Sequence, residues 1–323
     1  MRSILPFLLA SALLLALAPS RAGEAAKGLP NALEDTGFDA PRAIAFEPRY
    51  PLWSDGASKR RWLQLPPGAS IDASNADAWE FPRGTKAWKE FSHAGRVETR
   101  FIERLADGSW RYAAYAWDAQ GTRATLVPDG GANVAAAGAP SSRYAIPSRE
   151  DCVACHEGAK SPLLGFSALQ LSARLAELVA NGTLRGLPQS LLDKPPQIAA
   201  ATPAAREALG YLHGNCGHCH NDGALPALDL VLAQEAGDPA ESAARTLASL
   251  VGRSSRFRPR GAAAPERIVP GKAGESVLIA RLASRDPRVR MPPVGVALPD
   301  AAGIATLSHW IENDLTTPKE TSR

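Results

Sequence analysis

Sulfur is scarce in this sequence. Its 323 residues include four cysteines and two methionines. All four cysteines fall in two copies of one short motif, which leaves none for a disulfide, a separate zinc site or a free nucleophile. Charge of one sign is scarce too. The formal net charge is +3, from 36 basic and 33 acidic residues, so the global balance points to no particular class of partner. Long apolar runs are confined to the start of the chain, and nothing later is apolar enough to span a bilayer. Proline and glycine, by contrast, are plentiful at 27 each, which implies many turns and irregular connections.

The motif is Cys-x-x-Cys-His. It occurs as Cys152-Val153-Ala154-Cys155-His156 and again as Cys216-Gly217-His218-Cys219-His220. This is the attachment signature of a c-type haem. Each thiol can form a thioether to one vinyl group, and the adjacent imidazole reaches the iron from the same turn of backbone as the proximal ligand. The expectation is two covalently bound haem c groups with their iron. One is held by Cys152, Cys155 and His156, the other by Cys216, Cys219 and His220. Two other uses of such cysteines compete with this reading. A zinc ribbon needs no His directly after each second Cys, and a thioredoxin-like dithiol follows a strand of a βαβ unit, which the sequence lacks.

The N-terminus agrees. Arg2, the apolar run 4–18 and Ser20-Arg21-Ala22 have the order of a charged region, a hydrophobic region and a small-x-small cleavage site. The run is about 15 residues long, short of the ~20 that a membrane helix needs. Residues 1–22 are expected to leave as a signal peptide, with an uncleaved anchor as the alternative. The mature chain would be exported and periplasmic, without a membrane span. It would hold 34 basic and 33 acidic residues, a net charge of +1. Covalent haem attachment takes place after export, so the two expectations are consistent.

Residues 23–45 form a lead-in without sustained periodicity. Six of the seven tryptophans lie in 46–147, where short runs alternate apolar and polar residues between turn signals. That pattern predicts an antiparallel sandwich or barrel with an aromatic core, and Asp107-Gly108 as a hairpin turn. In the first haem-binding segment, 148–200, Ser148 and Asp151 signal a helix start before Cys152. Phe166, Leu169, Leu171, Leu175 and Leu178 have helical spacing, and 187–200 reads as a linker. Thr202-Pro203 opens a helix that runs into the second motif. Asp300 opens a last helix with Ile304, Leu307, Trp310, Ile311 and Leu315 on one face. Residues 317–323 are a tail.

A helix, Cys-x-x-Cys-His, a long connection, Arg290-Met291-Pro292-Pro293 and an amphipathic helix follow one another in 201–316. This order resembles class I cytochrome c. The resemblance implies His220 as proximal and Met291 as distal ligand of the second haem. Met1 leaves with the signal, so Met291 is the one thioether of the mature chain, and a His/Met pair raises the potential. A wider resemblance rests on several stretches occurring together: Tyr50-Pro51-Leu52-Trp53-Ser54-Asp55-Gly56, Val97-Glu98-Thr99-Arg100, Ile146-Pro147-Ser148-Arg149-Glu150-Asp151-Cys152, Leu164-Gly165-Phe166 and Tyr211-Leu212-His213-Gly214-Asn215-Cys216. As a set they are similar to an exported family of dihaem c-type cytochromes with a β-rich N-terminal region. The resemblance implies cofactor and location rather than a substrate. The expected fold class is α+β multidomain: an N-terminal antiparallel β-rich region followed by mainly α-helical cytochrome c-type haem domains.

The first haem has no methionine of its own. His213 is the candidate sixth ligand: it precedes His220 by two helical turns, so both side chains leave on nearly one face. The alternatives are a His213 that hydrogen-bonds a propionate, ligation by Lys160 or His309, or an open position. His218 reads as a solvent-facing motif filler and His93 as an exposed turn residue. The basic run Arg253-Ser254-Ser255-Arg256-Phe257-Arg258-Pro259-Arg260, continued by Arg281, Arg285, Arg288 and Arg290, suits haem propionates or an acidic redox partner. A solvated loop is the alternative. Export argues against nucleic acid. The expected function is a periplasmic dihaem cytochrome passing single electrons between redox partners, rather than a catalyst. One alternative is a dihaem redox enzyme, peroxidase-like or oxidase-like, with an open first haem. Another is a binding module built on the β region.

Overall fold

The computed structural model describes residues 28–259, 261 and 264–315. The expected signal peptide, the tail and Arg260 of the basic run lie outside them. The alternating segments of the aromatic region, joined by the end of the lead-in, form one six-stranded antiparallel sheet: β1 (Ile44–Ala45), β2 (Ser58–Gln64), β4 (Lys86–Ser92), β5 (Arg96–Arg104), β6 (Trp110–Trp117) and β7 (Ala124–Leu126), adjacent in that order. The short β3 (Ile71–Asp72) lies outside this sheet. The β5–β6 hairpin turns where expected. Gly108 takes φ +93°, open to a residue without Cβ, and Asp107 accepts the Ser109 N–H at 2.8 Å.

Alternation gives the sheet two different faces. On one, Trp62 stands opposite Trp88, and Trp88 opposite Phe101. The lead-in covers this face. Phe38 packs 5.1 Å from Trp62 and 5.2 Å from Trp88, and Trp88 Nε1–H donates to Thr36 Oγ1 at 2.9 Å. The other face carries Leu63, Ala87, Ile102 and Tyr112. They belong to one continuous core with Phe46, Phe166, Leu175, Leu209 and Trp310. A hairpin of β8 (Ala132–Ala135) and β9 (Arg143–Ile146) packs Tyr144 and Ile146 with Phe91 and Val97. Among the described residues the sheet neither closes into a barrel nor faces a second sheet of comparable size.

The second half begins with α1 (Arg149–His156), whose start is a capping box. Ser148 Oγ accepts the Asp151 N–H at 3.1 Å, and the Asp151 carboxylate accepts the Ser148 N–H at 3.0 Å. Then come α2 (Leu175–Ala180), the short β10 (Leu184–Arg185) parallel to β3, and α3 (Gln189–Asp193). Next is α4 (Pro203–Asn215), capped by Thr202 Oγ1 on the Ala205 N–H at 3.0 Å. It is followed by α5 (Pro239–Leu250), α6 (Val277–Leu282) and α7 (Ala301–Asn313), which Asp300 caps. Helices α4 and α7 cross in close contact: a Cβ on Gly303 would lie 2.2 Å from the Tyr211 ring.

This architecture corrects the expected fold class. A large antiparallel sheet dominates, and helix accounts for only 27%, so mainly α-helical cytochrome c-type haem domains do not describe the second half. The stretch 166–179 shows why. Only Leu175–Ala180 and a 3-10 turn at Ser172–Arg174 are helical, yet Phe166, Leu169 and Leu171 are all buried. Their spacing reports contact with the sheet made by irregular chain. Gly165 at φ +84° starts that course, and it runs against Pro48.

One segment straps the halves together. Gln170 Oε1 accepts the Tyr50 N–H at 2.8 Å, and Asn215 Oδ1 accepts the Trp53 N–H at 2.7 Å. Trp53 Nε1–H donates to Leu298 O at 3.2 Å, and the Asp55 carboxylate accepts the N–H groups of Ala297 and Leu298 at 2.8–3.0 Å. Tyr50 lies so close to α4 that a Cβ on Gly214 would stand 2.4 Å from its carbonyl oxygen. Gly214→Ala is therefore expected to cost about 1–3 kcal/mol in urea unfolding. Gly274→Ala, with nothing within 4 Å of the added carbon, should stay within about 0.5 kcal/mol.

Candidate haem-attachment site

Each motif sits at a helix end. Cys152, Cys155 and His156 are on α1, and Cys216 follows the last residue of α4. The fold brings the two motifs into contact. Cys219 Sγ lies 3.6 Å from Ala154 O, and the Cys155 and Cys219 thiols are hydrogen-bonded. Buried Asn221 fastens the joint. Its Nδ2 donates to Gly158 O at 2.9 Å on the first motif's side, and to Gly217 O and His218 O at 3.1 Å on the second's. Its Oδ1 accepts from Gly223 and Ala224. Small residues permit the approach. A Cβ on Gly158 would meet Ala224 at 3.1 Å and His218 O at 3.2 Å, and one on Gly217 would lie 2.8 Å from His213 O. Lys160 is ion-paired with Glu235, which also binds Arg245.

A cavity of about 230 Å³ opens between the first motif, the sheet and α4. That is room for an organic group rather than one water. Cys152, Cys155 and His156 line one side, Ala87, Ile102 and Tyr112 are on the sheet side, and His213 and His218 are on the side of the second motif. His156 Nδ1 stands 2.6 Å from Pro162 O. A carbonyl only accepts, so Nδ1 carries the proton and Nε2 keeps its lone pair, the tautomer a metal-ligating imidazole needs. Burial, then the nearby Lys89 charge against the Pro162 bond, holds His156 down to about 3. It is neutral across the ordinary pH range.

His213 is arranged the opposite way. The Gln234 backbone N–H donates to its Nδ1 at 3.0 Å, so in the neutral ring the proton sits on Nε2. His213 thus borders the cavity, with its second nitrogen set to donate rather than to bind a metal; the helical spacing to His220 does not apply, because α4 ends at Asn215. His218 is not a solvent-facing filler; it lines the same cavity and hydrogen-bonds Cys155. His93 is packed 5.8 Å from the Tyr144 ring rather than exposed. His309 is exposed on α7 beside Asn313.

At the second motif, burial brings His220 down to about 4 and pushes the Cys216 thiol up to about 12. His220 Nδ1 is buried without a hydrogen-bond partner among the described residues. Arg281 is close enough for its charge to act on His220. The same arginine anchors the methionine segment: Arg281 O accepts the Met291 N–H at 3.1 Å, and Arg281 Nε donates to Val289 O at 2.8 Å. Met291 and His220 therefore share a neighbour, although 70 residues of chain separate them.

The sheet wall of the cavity holds a feature that motif reading missed. Arg61 stands opposite Lys89, and Lys89 opposite Arg100, across three adjacent strands. All three line the cavity. Arg100 is forked onto Glu98 at 2.8 and 3.1 Å and stacks 4.3 Å from Phe91. Lys89 lies 4.9 Å over the same ring. Burial, reinforced by the neighbouring cations, holds its ammonium well below the usual lysine range, and burial brings Arg61 down to about 10. Period-2 alternation in β2, β4 and β5 could have placed these residues on one face, but not opposite one another.

These residues fit haem. An apolar cavity bordered by a Cys-x-x-Cys-His turn, a proximal-type imidazole tautomer and cations suited to carboxylates are the donor set such a group requires. The four thiols do not converge as a zinc cage: among the described residues no three His, Cys, Asp or Glu gather as metal ligands. No helix among them is long and apolar enough to cross a membrane. No family model, curated protein or solved structure matches the chain. Asn221→Ala should cost about 2–4 kcal/mol in urea unfolding, because several buried acceptors and donors lose their partner together. Unchanged stability would mean that the motif contact does not depend on this amide.

Proposed function

We propose that the chain is an exported dihaem c-type cytochrome that carries single electrons between redox partner proteins in the periplasm. One observation carries the reading: both Cys-x-x-Cys-His motifs pack against each other, so groups attached at Cys152/Cys155 and Cys216/Cys219 would be neighbours. Bound haem supplies the one-electron iron couple. The chain supplies the attachment thiols, the His156 and His220 ligands, Met291 beside the second site, and buried surroundings that keep water away. Exposed arginines of the 253–258 run offer an acidic partner a docking charge.

A second reading has an observation of its own. The hydrogen bond from Gln234 to His213 occupies the Nδ1 lone pair and leaves Nε2 protonated, which removes His213 as a ready ligand for the first site. This favours a dihaem redox enzyme with an open first haem.

Three measurements test these readings. Pyridine haemochrome absorbance and intact mass should report two haems per mature chain, and one after Cys152→Ser with Cys155→Ser; no haem in the wild type defeats the proposal. Met291→Ala should lower one midpoint potential in a spectroelectrochemical titration and leave the other in place. Rapid binding of one equivalent of carbon monoxide by the reduced protein would bring the enzyme reading forward, and its absence would favour electron carriage.

A further inference from the structure

We propose that the row Arg61–Lys89–Arg100 is an anion-binding site inside the first cavity, taking a carboxylate or another small oxyanion. Like charges directly opposite each other in a sheet repel, and buried cations need partners. Here the partners run out. Both Glu98 oxygens are engaged by Arg100, and Tyr144 O–H donates to one of them at 3.0 Å. Arg61 is only 6% exposed, yet among the described residues neither its guanidinium nor the Lys89 ammonium makes a hydrogen bond or an ion pair. Glu47 acts on Arg61 through its field alone. Lys59, two residues before Arg61 on the same face, adds positive charge, and its own ammonium already donates to Leu52 O at 2.6 Å.

Beyond Arg100 the row ends in Ala114, a side chain too small to fill the space or supply charge. A buried guanidinium and a half-buried ammonium with unused donors, facing one cavity across adjacent strands, are a fork for oxyanion oxygens.

The oxygens can come from two sources with the same chemistry: the carboxylates of a haem attached at Cys152/Cys155, or a free oxyanion from solution. The first source rests on the dihaem reading; the second does not. The test compares the mature protein as isolated with Lys89→Gln and Arg61→Met, after haem content has been fixed by haemochrome absorbance and mass. Thermal unfolding is followed during titration with sodium formate against sodium chloride at equal ionic strength, and both midpoint potentials are measured. A saturable formate-dependent rise in wild-type melting temperature, lost in the variants, assigns the site to a free oxyanion. No formate response, together with a lowered potential of one haem in the variants, assigns it to haem carboxylates. Absence of both responses overturns the proposal, whichever way the melting temperatures of the variants move. Absence of haem from the wild type removes the dihaem reading alone, because the formate titration still decides whether the row binds an anion.

Discussion

The structure depends on how closely the strap 50–56 lies against the end of α4. Tyr50 reaches α4 because positions 210 and 214 are glycines, and Trp53 is fixed to Asn215 by a backbone hydrogen bond. The same seven residues hold Gln170 on one side and the 297–298 backbone on the other. The sheet, through Lys59 on Leu52 O, the Gln170 segment, the end of α4 and the segment after Met291 are thereby tied to one piece of chain. Without this contact the cavity would lose the wall formed by α4, and Met291 would lose the anchoring of the segment that follows it.

Within that frame the two motifs are joined by polar bonds rather than by apolar packing alone. Asn221 satisfies acceptors on both sides of the joint, and the Lys160–Glu235–Arg245 chain bridges it again. A buried amide such as Asn221 specifies an arrangement because a shifted register would leave it unpaired. The cavity shows the opposite condition. Its cations exceed their carboxylates, an imbalance that a folded core tolerates only where something else completes it. Joint and cavity thus divide the site into a part whose polar groups are paired with one another and a part where the Arg61 and Lys89 donors are not.

Much of the local structure was legible in the sequence. The capping box at Ser148, the Thr202-Pro203 start of α4, the Asp300 cap and the Asp107-Gly108 turn each act over three or four residues, and each is present. Periodicity misled at 166–179, where buried leucines at helical spacing line irregular chain. It also fell short for the fold class, because proline- and glycine-rich connections take up much of the second half and fill the core as loops. The place of His218 in the cavity is invisible from the motif, because spacing along a motif says nothing of what another motif presses against it.

What the sequence determined by itself was chemistry of short reach. A Cys-x-x-Cys-His turn carries its own spacing of two thiols and an imidazole wherever it is placed, and capping signals carry their own hydrogen bonds. What only the tertiary structure decided was adjacency: the contact of Cys155 with Cys219, the shared Arg281 beside Met291 and His220, the proton position on His213, and the opposition of Arg61, Lys89 and Arg100. Each depends on strand register or helix packing between residues far apart in the chain. Those alignments are set by the burial of the whole core and by the close approach at Gly214, and no local pattern encodes them.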